Sequence, residues 1–326
     1  MKLPRRQFLH LTAGAAALLA GSRFARAQTY PARPVRIVVG FAAGGPNDIL
    51  ARLIGHWLSE QLGQPFVVEN RPGAGSNIAT ETVVRATPDG YTLLLVGTPN
   101  AINATLYDNL NFNFIRDITP VASLMRSGLV MVVHPSVSAK TLPEFIAYAK
   151  ANPGKLSYGS GGIGGITHLT AELFKELAGG LDILHVPYRG AAPALTDLLG
   201  GRVQVLFVNP APLVGYISSG NVRALAVTTV TRSAVLADVP SVAEFVHGYE
   251  ASSVFGLGAP KNTPVEIIDT LNQAINAGFI DSKIQTQIAS LDGMILRGSP
   301  ADFSKLIAKE TAKWGKVIRA GNIKAA

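Results

Sequence analysis

Several features that assign proteins to common functional classes are missing from this chain of 326 residues. It contains no cysteine, which excludes disulfide bonds, iron–sulfur clusters and thiol catalysis. Its six histidines form no pair at the spacing of metal ligands, and no pair of carboxylates stands out as a general acid and base. Internal repeats and low-complexity linkers are also missing. The sequence therefore gives little support to an enzyme, a metalloprotein or a protein that needs a cofactor.

The chain also lacks a hydrophobic run long enough to span a bilayer. The apolar stretch Leu9–Gly21 is only 13 residues long. It follows the twin-arginine motif RRxFL, which begins at Arg5, and precedes the small-x-small cleavage site ARA, which ends at Ala27. This order predicts a twin-arginine signal peptide over residues 1–27 and a periplasmic protein that does not span the membrane. The alternative is a short amphipathic helix at the N-terminus of a cytosolic protein.

Strong charge of one sign is missing once the signal peptide is removed. The signal peptide carries five basic residues and no acid, so its loss lowers the formal net charge from +8 to +3. A charge of +3 is too small for a nucleic-acid interface, although it is compatible with small anionic ligands. The remaining 299 residues exceed one typical core, which predicts two domains.

The mature chain alternates predicted strands and helices, a pattern typical of α/β proteins with parallel sheets. The pattern of strands and helices changes near Leu129. We therefore expect a first lobe over 28–128 and 254–326 that is interrupted by a second lobe over 129–253. Two hinge strands, near Leu129 and Val254, would join the lobes. Strands are predicted at Val35–Phe41, Phe66–Glu69, Tyr91–Gly97, Leu129–Val133, Ile183–Val186, Val203–Val208, Ala224–Thr228 and Ser252–Ala259, and helices near Asp48–Leu62, Ile78–Ala86 and Leu169–Leu177.

A turn between the first strand and the first helix is a candidate ligand site. Phe41–Asp48, with the sequence FAAGGPND, places small residues and backbone N–H groups at the start of a helix. Such a start favours anions, because its unpaired donors and the helix dipole both point outward. Either Asn47 or Asp48 can cap the helix. A tight turn with a cap and no ligand is the alternative.

A second turn, Tyr158–Thr167, precedes a later helix and is rich in glycine. Its glycines allow a backbone to approach a ligand closely, and Ser160 and Thr167 offer hydroxyl groups. The turn also contains the dinucleotide fingerprint GxGxxG, with Asp182 further on, although the preceding strand is short and polar. A nucleotide site and a merely flexible surface loop are therefore alternatives. We expect the nearby His168 to be structural, as we do His185.

Several segments together resemble one known family, the Bug-type substrate-binding proteins of tripartite tricarboxylate transporters. The resemblance covers nearly all of residues 30–326 in order. The segments are PVRIVVGFAAGGPNDILAR (34–52), VVENRPGAGSNIA (67–79), PDGYTLLL (88–95), YGSGGIGGITHLTAELF (158–174), HVPYRGAAPALTDLLGGRV (185–203), RALAVTT (223–229) and DVPSVAEF (238–245).

The resemblance implies a two-lobed protein of the periplasmic binding class, type II-like, with no reaction of its own and no cofactor. A small organic carboxylate would lie between the lobes, held by backbone and hydroxyl donors and by ordered waters. Receptors of this family commonly have Ser at the position of Gly165 and an acid at that of Val208, which here favours an apolar ligand portion. The implied ligand-binding residues are Phe41, Ala42, Ala43, Asp48, Thr98, Ser160, Gly161, Gly162, Thr167, Val208 and Asn209.

The resemblance further implies that integral membrane permease subunits are the partner, and that ligand drives closure of the hinge. We expect a monomer that binds no nucleic acid. Three alternatives stay open: an exported NAD(P)-dependent oxidoreductase, a receptor that presents its ligand to a two-component sensor kinase, and an orphan receptor whose permease is encoded elsewhere.

Overall fold

A computed structural model describes residues 30–325, which form two β-sheets flanked by helices. The predicted signal peptide, residues 1–27, lies outside the described residues. The two sheets confirm the prediction of an α/β protein with two lobes. We call the six-stranded sheet with its helices the first lobe and the five-stranded sheet with its helices the second lobe. The predicted boundaries, at 128/129 and 253/254, stay a prediction.

The strands are numbered along the chain. They are β1 Val35–Val39, β2 Phe66–Asn70, β3 Thr92–Gly97, β4 Ile118–Gly128, β5 Val130–Val133, β6 Leu156–Ser160, β7 Ile183–Pro187, β8 Val205–Val208, β9 Arg223–Val227, β10 Ser252–Pro260 and β11 Gly293–Ile295. The helices are α1 Pro46–Leu62, α2 Asn77–Val84, α3 Thr98–Leu106, α4 Phe114–Asp117, α5 Leu142–Ala151, α6 Ile166–Leu177, α7 Ala191–Leu199, α8 Val214–Ser218, α9 Val265–Gly278, α10 Ser282–Ser290 and α11 Pro300–Ala320.

Both sheets place the turns of interest at the carboxyl ends of parallel strands. The first sheet has the order β11-β4-β10-β3-β1-β2, in which β1 is parallel to β2 and β3. The second has the order β7-β6-β8-β5-β9, in which β6 is parallel to β7 and β8. In such sheets ligands bind beyond the carboxyl ends of the strands. The turn after β1 and the turn after β6 both occupy this position.

The chain passes between the lobes along two strands. β4 and β10 pair antiparallel in the first sheet, and β4 continues through Leu129 into β5 of the second sheet. The Thr228 hydroxyl fixes this passage, since it accepts from the Leu129 N–H at 2.8 Å and donates to the Ala251 carbonyl at 2.7 Å. The sequence predicted β5 and β10 but missed β4, the longest strand.

The last helix, α11, connects the cores of both lobes. Phe303 and Ile307, near its start, belong to a buried cluster of the first lobe, whereas Trp314 and Val317 belong to the core of the second. The Trp314 indole N–H donates to the Glu310 carboxylate at 2.9 Å, so the buried ring has its polar group satisfied. Any change in the angle between the lobes must therefore bend or slide the contacts of this helix.

Candidate functional site

The first-lobe turn, Phe41–Asp48, leads from β1 to α1 and leaves backbone donors open. Phe41 is half-buried, whereas Ala42 and Ala43 are exposed. Within residues 30–325, neither the Ala42 nor the Ala43 N–H donates a hydrogen bond. Gly44 follows with a φ of 84°, a left-handed conformation that favours glycine. The turn thus presents two unpaired N–H groups beside the start of a 17-residue helix, a setting that favours anions.

Asp48 holds this turn in place rather than facing the open side. One carboxylate oxygen accepts from the Gly44 N–H and from Arg52 Nε, both at 2.9 Å. The other oxygen accepts from Asn70 Nδ2, which also donates to the Phe41 carbonyl, both at 3.0 Å. The hydrogen bond from Arg52 is the main cause that lowers the pKa of Asp48 to about 2, against burial. Asp48 is therefore charged at neutral pH and shapes the turn.

Thr98 begins α3 directly after β3, and its side chain is buried. Its hydroxyl accepts from the Val254 N–H at 2.7 Å, which ties α3 to the strand β10. Thr98 lines a recess of only about 10 Å³ whose other walls include Phe114 and Phe303. The hydroxyl thus has a structural partner in the first lobe, and its contact with a ligand stays a prediction.

In the second-lobe turn, Tyr158–Thr167, backbone N–H groups donate to side chains of the turn itself. The Gly161 N–H donates to the Thr167 hydroxyl at 2.8 Å, and the Gly162 N–H donates to the Ser160 hydroxyl at 3.2 Å. Because Thr167 acts only as an acceptor within the described part of the chain, its own O–H remains available to a ligand. Ser160 is almost fully buried, while Thr167 is partly exposed. This turn offers a hydroxyl where the first-lobe turn offers backbone donors.

Two stacked imidazoles lie beneath the second-lobe turn. The rings of His168 and His185 are 3.8 Å apart and nearly parallel, and Tyr158 stacks on His185 at 4.8 Å. His168 Nδ1 accepts from the Gly164 N–H at 2.9 Å, and His185 Nε2 lies 2.7 Å from the Ser160 hydroxyl. Both histidines therefore position the turn, in agreement with the expected structural role.

Burial determines the charge of these imidazoles. It is the main cause that lowers the pKa of His168 to about 4, and the neighbouring His185 adds to the effect. Burial also lowers the pKa of His185. At neutral pH His168 is thus uncharged, as it must be if Nδ1 is to accept the Gly164 hydrogen bond. Glu172 accepts from the Tyr158 hydroxyl and from Lys175 Nζ, and so fixes the tyrosine of the stack.

Val208 and Asn209 end β8 close to this turn. Val208 is buried among Ala194 and Leu213, and it lines a recess of about 10 Å³ together with Ser160 and Gly161. Asn209 points toward the hinge instead, where its amide nitrogen lies 3.4 Å from the Ser127 hydroxyl. Val208 therefore forms an apolar floor behind the turn, and Asn209 joins the second lobe to β4.

The predicted residues form two groups, one in each lobe. Within residues 30–325, no hydrogen bond joins the first-lobe turn to the second-lobe turn. The lobes meet beside the second group, where a side chain at Gly164 would collide with Leu106 of α3. Sequence reasoning placed His168 in the first turn of a helix and His185 near a strand end, but it missed the stacking of their rings and the support that Asn70 gives to the first turn. The one local signal was the Gly164–His168 spacing of one helical turn, whereas the β6–β7 register that pairs Tyr158 with His185 is visible only in the structure.

Comparison with known proteins decides the family. A family model described as the tripartite tricarboxylate transporter family receptor matches residues 50–323. The chain belongs to this family. It is 36% identical to the protein BugT of Bordetella pertussis over 296 residues, which cover 90% of each chain. Membership confirms the resemblance seen in the sequence and identifies the chain as a solute-binding receptor rather than an oxidoreductase.

Two solved structures support the same conclusion at the level of the fold. The structure of Rpa4515 from R. palustris with adipate is 36% identical, has a TM-score of 0.78 and aligns over 90% of this chain and 99% of its own. MatC from Rhodopseudomonas palustris with bound malate is 31% identical, has a TM-score of 0.75 and aligns over 89% and 100%. Both neighbours hold small organic acids. Among residues 30–325, no helix is both long and apolar enough to cross a membrane.

Proposed function

We propose that this receptor is exported through the twin-arginine pathway, loses residues 1–27 by cleavage after Ala27, and works as a monomer in the periplasm. It captures a small organic carboxylate between its lobes and delivers it to a tripartite tricarboxylate-type permease. Support comes from the order of the motif RRxFL, the apolar stretch and the site ARA, and from the periplasmic receptors of its family. The lobes comprise 28–128 with 254–326, and 129–253.

The proposal that the ligand is a carboxylate rests on the unpaired N–H groups of Ala42 and Ala43. A carboxylate accepting from both would satisfy two donors that have no other partner in the described chain, beside the positive end of α1. Hydrogen bonds to a charged acceptor are roughly twice as strong as those between neutral groups. Adipate and malate, the ligands in the two solved relatives, both carry carboxylate groups.

The second lobe contributes a donor of a different kind. The Thr167 O–H is available, and Ser160 together with the backbone of Gly161 and Gly162 forms the wall next to it. A ligand that accepts from the first-lobe turn and from Thr167 at once makes both sets of contacts only when the lobes are close. Ligand therefore shifts the equilibrium toward the closed form, the form presented to the permease.

The floor at Val208 favours a ligand with an apolar body. An acidic side chain there would suit an amino or hydroxyl group, whereas Val208 packs with Ala194 and offers no hydrogen bond. We therefore expect aliphatic or aromatic carboxylates to bind better than aspartate or glutamate. The reverse order of affinity would exclude this apolar preference while leaving the carboxylate receptor in place.

Isothermal titration of residues 28–326, first unfolded and refolded to remove carried-over ligand, tests the proposal. Adipate, malate, aromatic acids, amino acids and NAD(P) form the panel. We expect saturable binding of at least one carboxylate at one site per chain. A carboxylate at a hundred times its dissociation constant should also stabilise the protein by about 2.7 kcal/mol. Binding of NAD(P) without any carboxylate would overturn the proposal.

A variant that fills the first-lobe turn locates the site. Ala42 is exposed, so Ala42→Trp should fold normally while it blocks access to the two N–H groups. We expect it to weaken carboxylate binding at least about tenfold, which corresponds to about 1.4 kcal/mol. The control Ala308→Trp changes an alanine on α11 that is also exposed, and it should leave the affinity unchanged. Equal affinities in the two variants would place the site elsewhere.

A further inference from the structure

A cavity of about 240 Å³ lies at the junction of the lobes, away from the predicted ligand site. Arg126 and Gly128 of β4 form one wall. The segment Thr229–Ala234, which follows β9 in the second lobe, forms another, and residues from Ala289 to Met294 of the first lobe form the third. None of the residues assigned to the carboxylate site lines this cavity. It is therefore a separate space with walls from both lobes.

The order of the strands places this cavity behind the hinge. In the first sheet, β10, β3 and β1 lie on one side of β4, and β11 lies on the other. In the second sheet, β8 and β6 lie on one side of β5, and β9 lies on the other. The two candidate turns follow β1 and β6, whereas the cavity is bounded by β11 and by the chain after β9. The hinge thus separates the two spaces.

Arg126 brings an unsatisfied donor to this cavity. Its Nη1 donates to a Glu250 carboxylate oxygen at 3.1 Å, whereas its Nη2, which is not buried, has no partner among the described residues. Glu250 is shared, because Lys313 donates to its other oxygen at 2.9 Å. Nη2 is therefore free to donate to a ligand, and hydrogen bonds between charged groups are the strong ones. A carboxylate oxygen in the cavity would supply the missing acceptor.

Asp292 brings the complementary group from the first lobe. One of its oxygens accepts from the Ser233 hydroxyl of the second lobe at 2.7 Å, and within residues 30–325 no cationic side chain forms a salt bridge with it. Burial raises the pKa of Asp292, and the hydrogen bond from Ser233 offsets this only in part. A cationic group bound in the cavity would stabilise the ionised carboxylate.

We propose that this cavity binds a small zwitterion, an α-amino acid with an apolar side chain. Its carboxylate accepts from Arg126 Nη2, its ammonium group donates to Asp292, and its side chain lies against Ala234, Ala289 and Met294. A zwitterion adds no net charge to a cavity that already contains both signs. The volume is ample, since an engineered cavity of about 150 Å³ holds benzene. This proposal does not depend on the function proposed for the cleft.

The methionines make the cavity observable by NMR. Residues 28–326 contain only three, Met125, Met131 and Met294, so methyl-¹³C labelling gives three signals. Met294 lines the cavity, whereas Met131 is fully buried in the core of the second lobe and serves as the reference. Titration with leucine should move the Met294 signal saturably and leave that of Met131 unchanged. Absence of a saturable Met294 shift would overturn the proposal.

Two analogues of leucine, each lacking one charged group, test whether the cavity recognises both charges. The probe 4-methylpentanoate lacks the ammonium group of leucine, and isopentylamine lacks its carboxylate. Measured by the Met294 signal, which reports the cavity and not the cleft, each should bind at least about tenfold more weakly than leucine, because each leaves one of the two charged groups unpaired. Asp292→Asn, a residue type that also tolerates the φ of 51° at this position, should abolish the preference for leucine over 4-methylpentanoate. Equal affinities for all three probes would overturn the assignment.

Variants separate the cavity from the cleft. Ala234→Phe fills the cavity from an exposed position and should weaken leucine binding at least about tenfold, whereas the control Ala237→Phe, three residues further on and outside the cavity, should not. The leucine response should persist in Ala42→Trp, in which the cleft is blocked. Loss of the Met294 response in Ala42→Trp, or its persistence in Ala234→Phe, would assign leucine to another site and overturn the proposal.

Discussion

The first-lobe turn and the second-lobe turn occupy equivalent places in their sheets but are stabilised by different chemistry. Asp48, a carboxylate held ionised by Arg52, supports the first from within and leaves the N–H groups of Ala42 and Ala43 open. Neutral hydroxyl and imidazole groups support the second and accept its N–H groups themselves. One turn therefore directs backbone donors outward, and the other directs them inward.

Because their supports differ, the two turns should also differ in how they respond to pH. The pKa of Asp48 is about 2, so the support of the first turn keeps its charge at any pH where the protein is normally studied. The support of the second turn depends on uncharged histidines, and protonation of His168 removes the acceptor for the Gly164 N–H. We infer that acid loosens the second turn first. Three predictions test this comparison.

The largest effect is expected from Asp48→Ala. The change leaves the Gly44 N–H, the Asn70 amide and the Arg52 guanidinium without their acceptor, and it should lower the free energy of unfolding by about 4 kcal/mol. Urea unfolding at pH 7 measures it. The control is Glu60→Ala on the same helix, since among residues 30–325 Glu60 pairs only with the exposed His56 and should change stability by less than about 0.5 kcal/mol.

Equal losses in the two variants would mean that the first turn does not depend on its carboxylate. Because the hydrogen bonds of Asp48 require its ionised form, acid should reproduce part of the loss. A carboxyl group whose pKa is lowered on folding stabilises the protein above its unfolded value, near 4, and that contribution is lost as the pH falls toward about 2.

The pH dependence of the second turn comes next in size and lies in a higher range. His168 binds its proton more weakly in the folded state, with a pKa of about 4 against an ordinary 6.5. The unfolded chain therefore binds more protons, and stability should decrease as the pH falls from about 6.5 toward 4, by up to about 3 kcal/mol. His185, whose pKa is also lowered by burial, acts in the same direction.

Urea unfolding at intervals between pH 4 and 7 measures this slope, and His168→Gln should flatten it. Gln keeps an acceptor oxygen near the Gly164 N–H but does not titrate. His56, exposed on α1, provides the control, so that His56→Gln should leave the slope unchanged. A slope that survives in His168→Gln would show that the stacked imidazoles do not control the acid response.

Local sequence patterns predicted most of the fold. Apolar runs bounded by glycine or proline, such as Val35–Phe41 and Ser252–Ala259, end within two residues of the observed strands β1 and β10. The strand β4 was missed because Ile118–Gly128 mixes polar residues with a proline and shows no clear alternation. Its pairing with β10, more than 120 residues away, stabilises it. Contacts so distant leave no local signal.

The positions of the two turns were predictable from the sequence, but the chemistry that supports each turn was not. The glycines and the helix starts located both turns correctly, since close backbone approach and open N–H groups are local properties. Whether the N–H groups of each turn are paired or open depends on side chains from other strands. Asn70 reaches the first turn from β2, and His185 reaches the second from β7. These side chains meet the turns only after the sheets have formed.

The smallest effect is expected from a variant that tests whether the second-lobe turn contacts the ligand. Thr167→Val keeps the shape of the side chain but removes the acceptor for the Gly161 N–H and the O–H proposed for the ligand. We expect unfolding free energy to fall by about 1 kcal/mol and carboxylate affinity to fall about tenfold, by titration calorimetry. Thr167→Ser, which restores the hydroxyl, should recover both. If Val loses stability but binds normally, Thr167 shapes the turn without touching the ligand, and closure must rest on backbone donors alone.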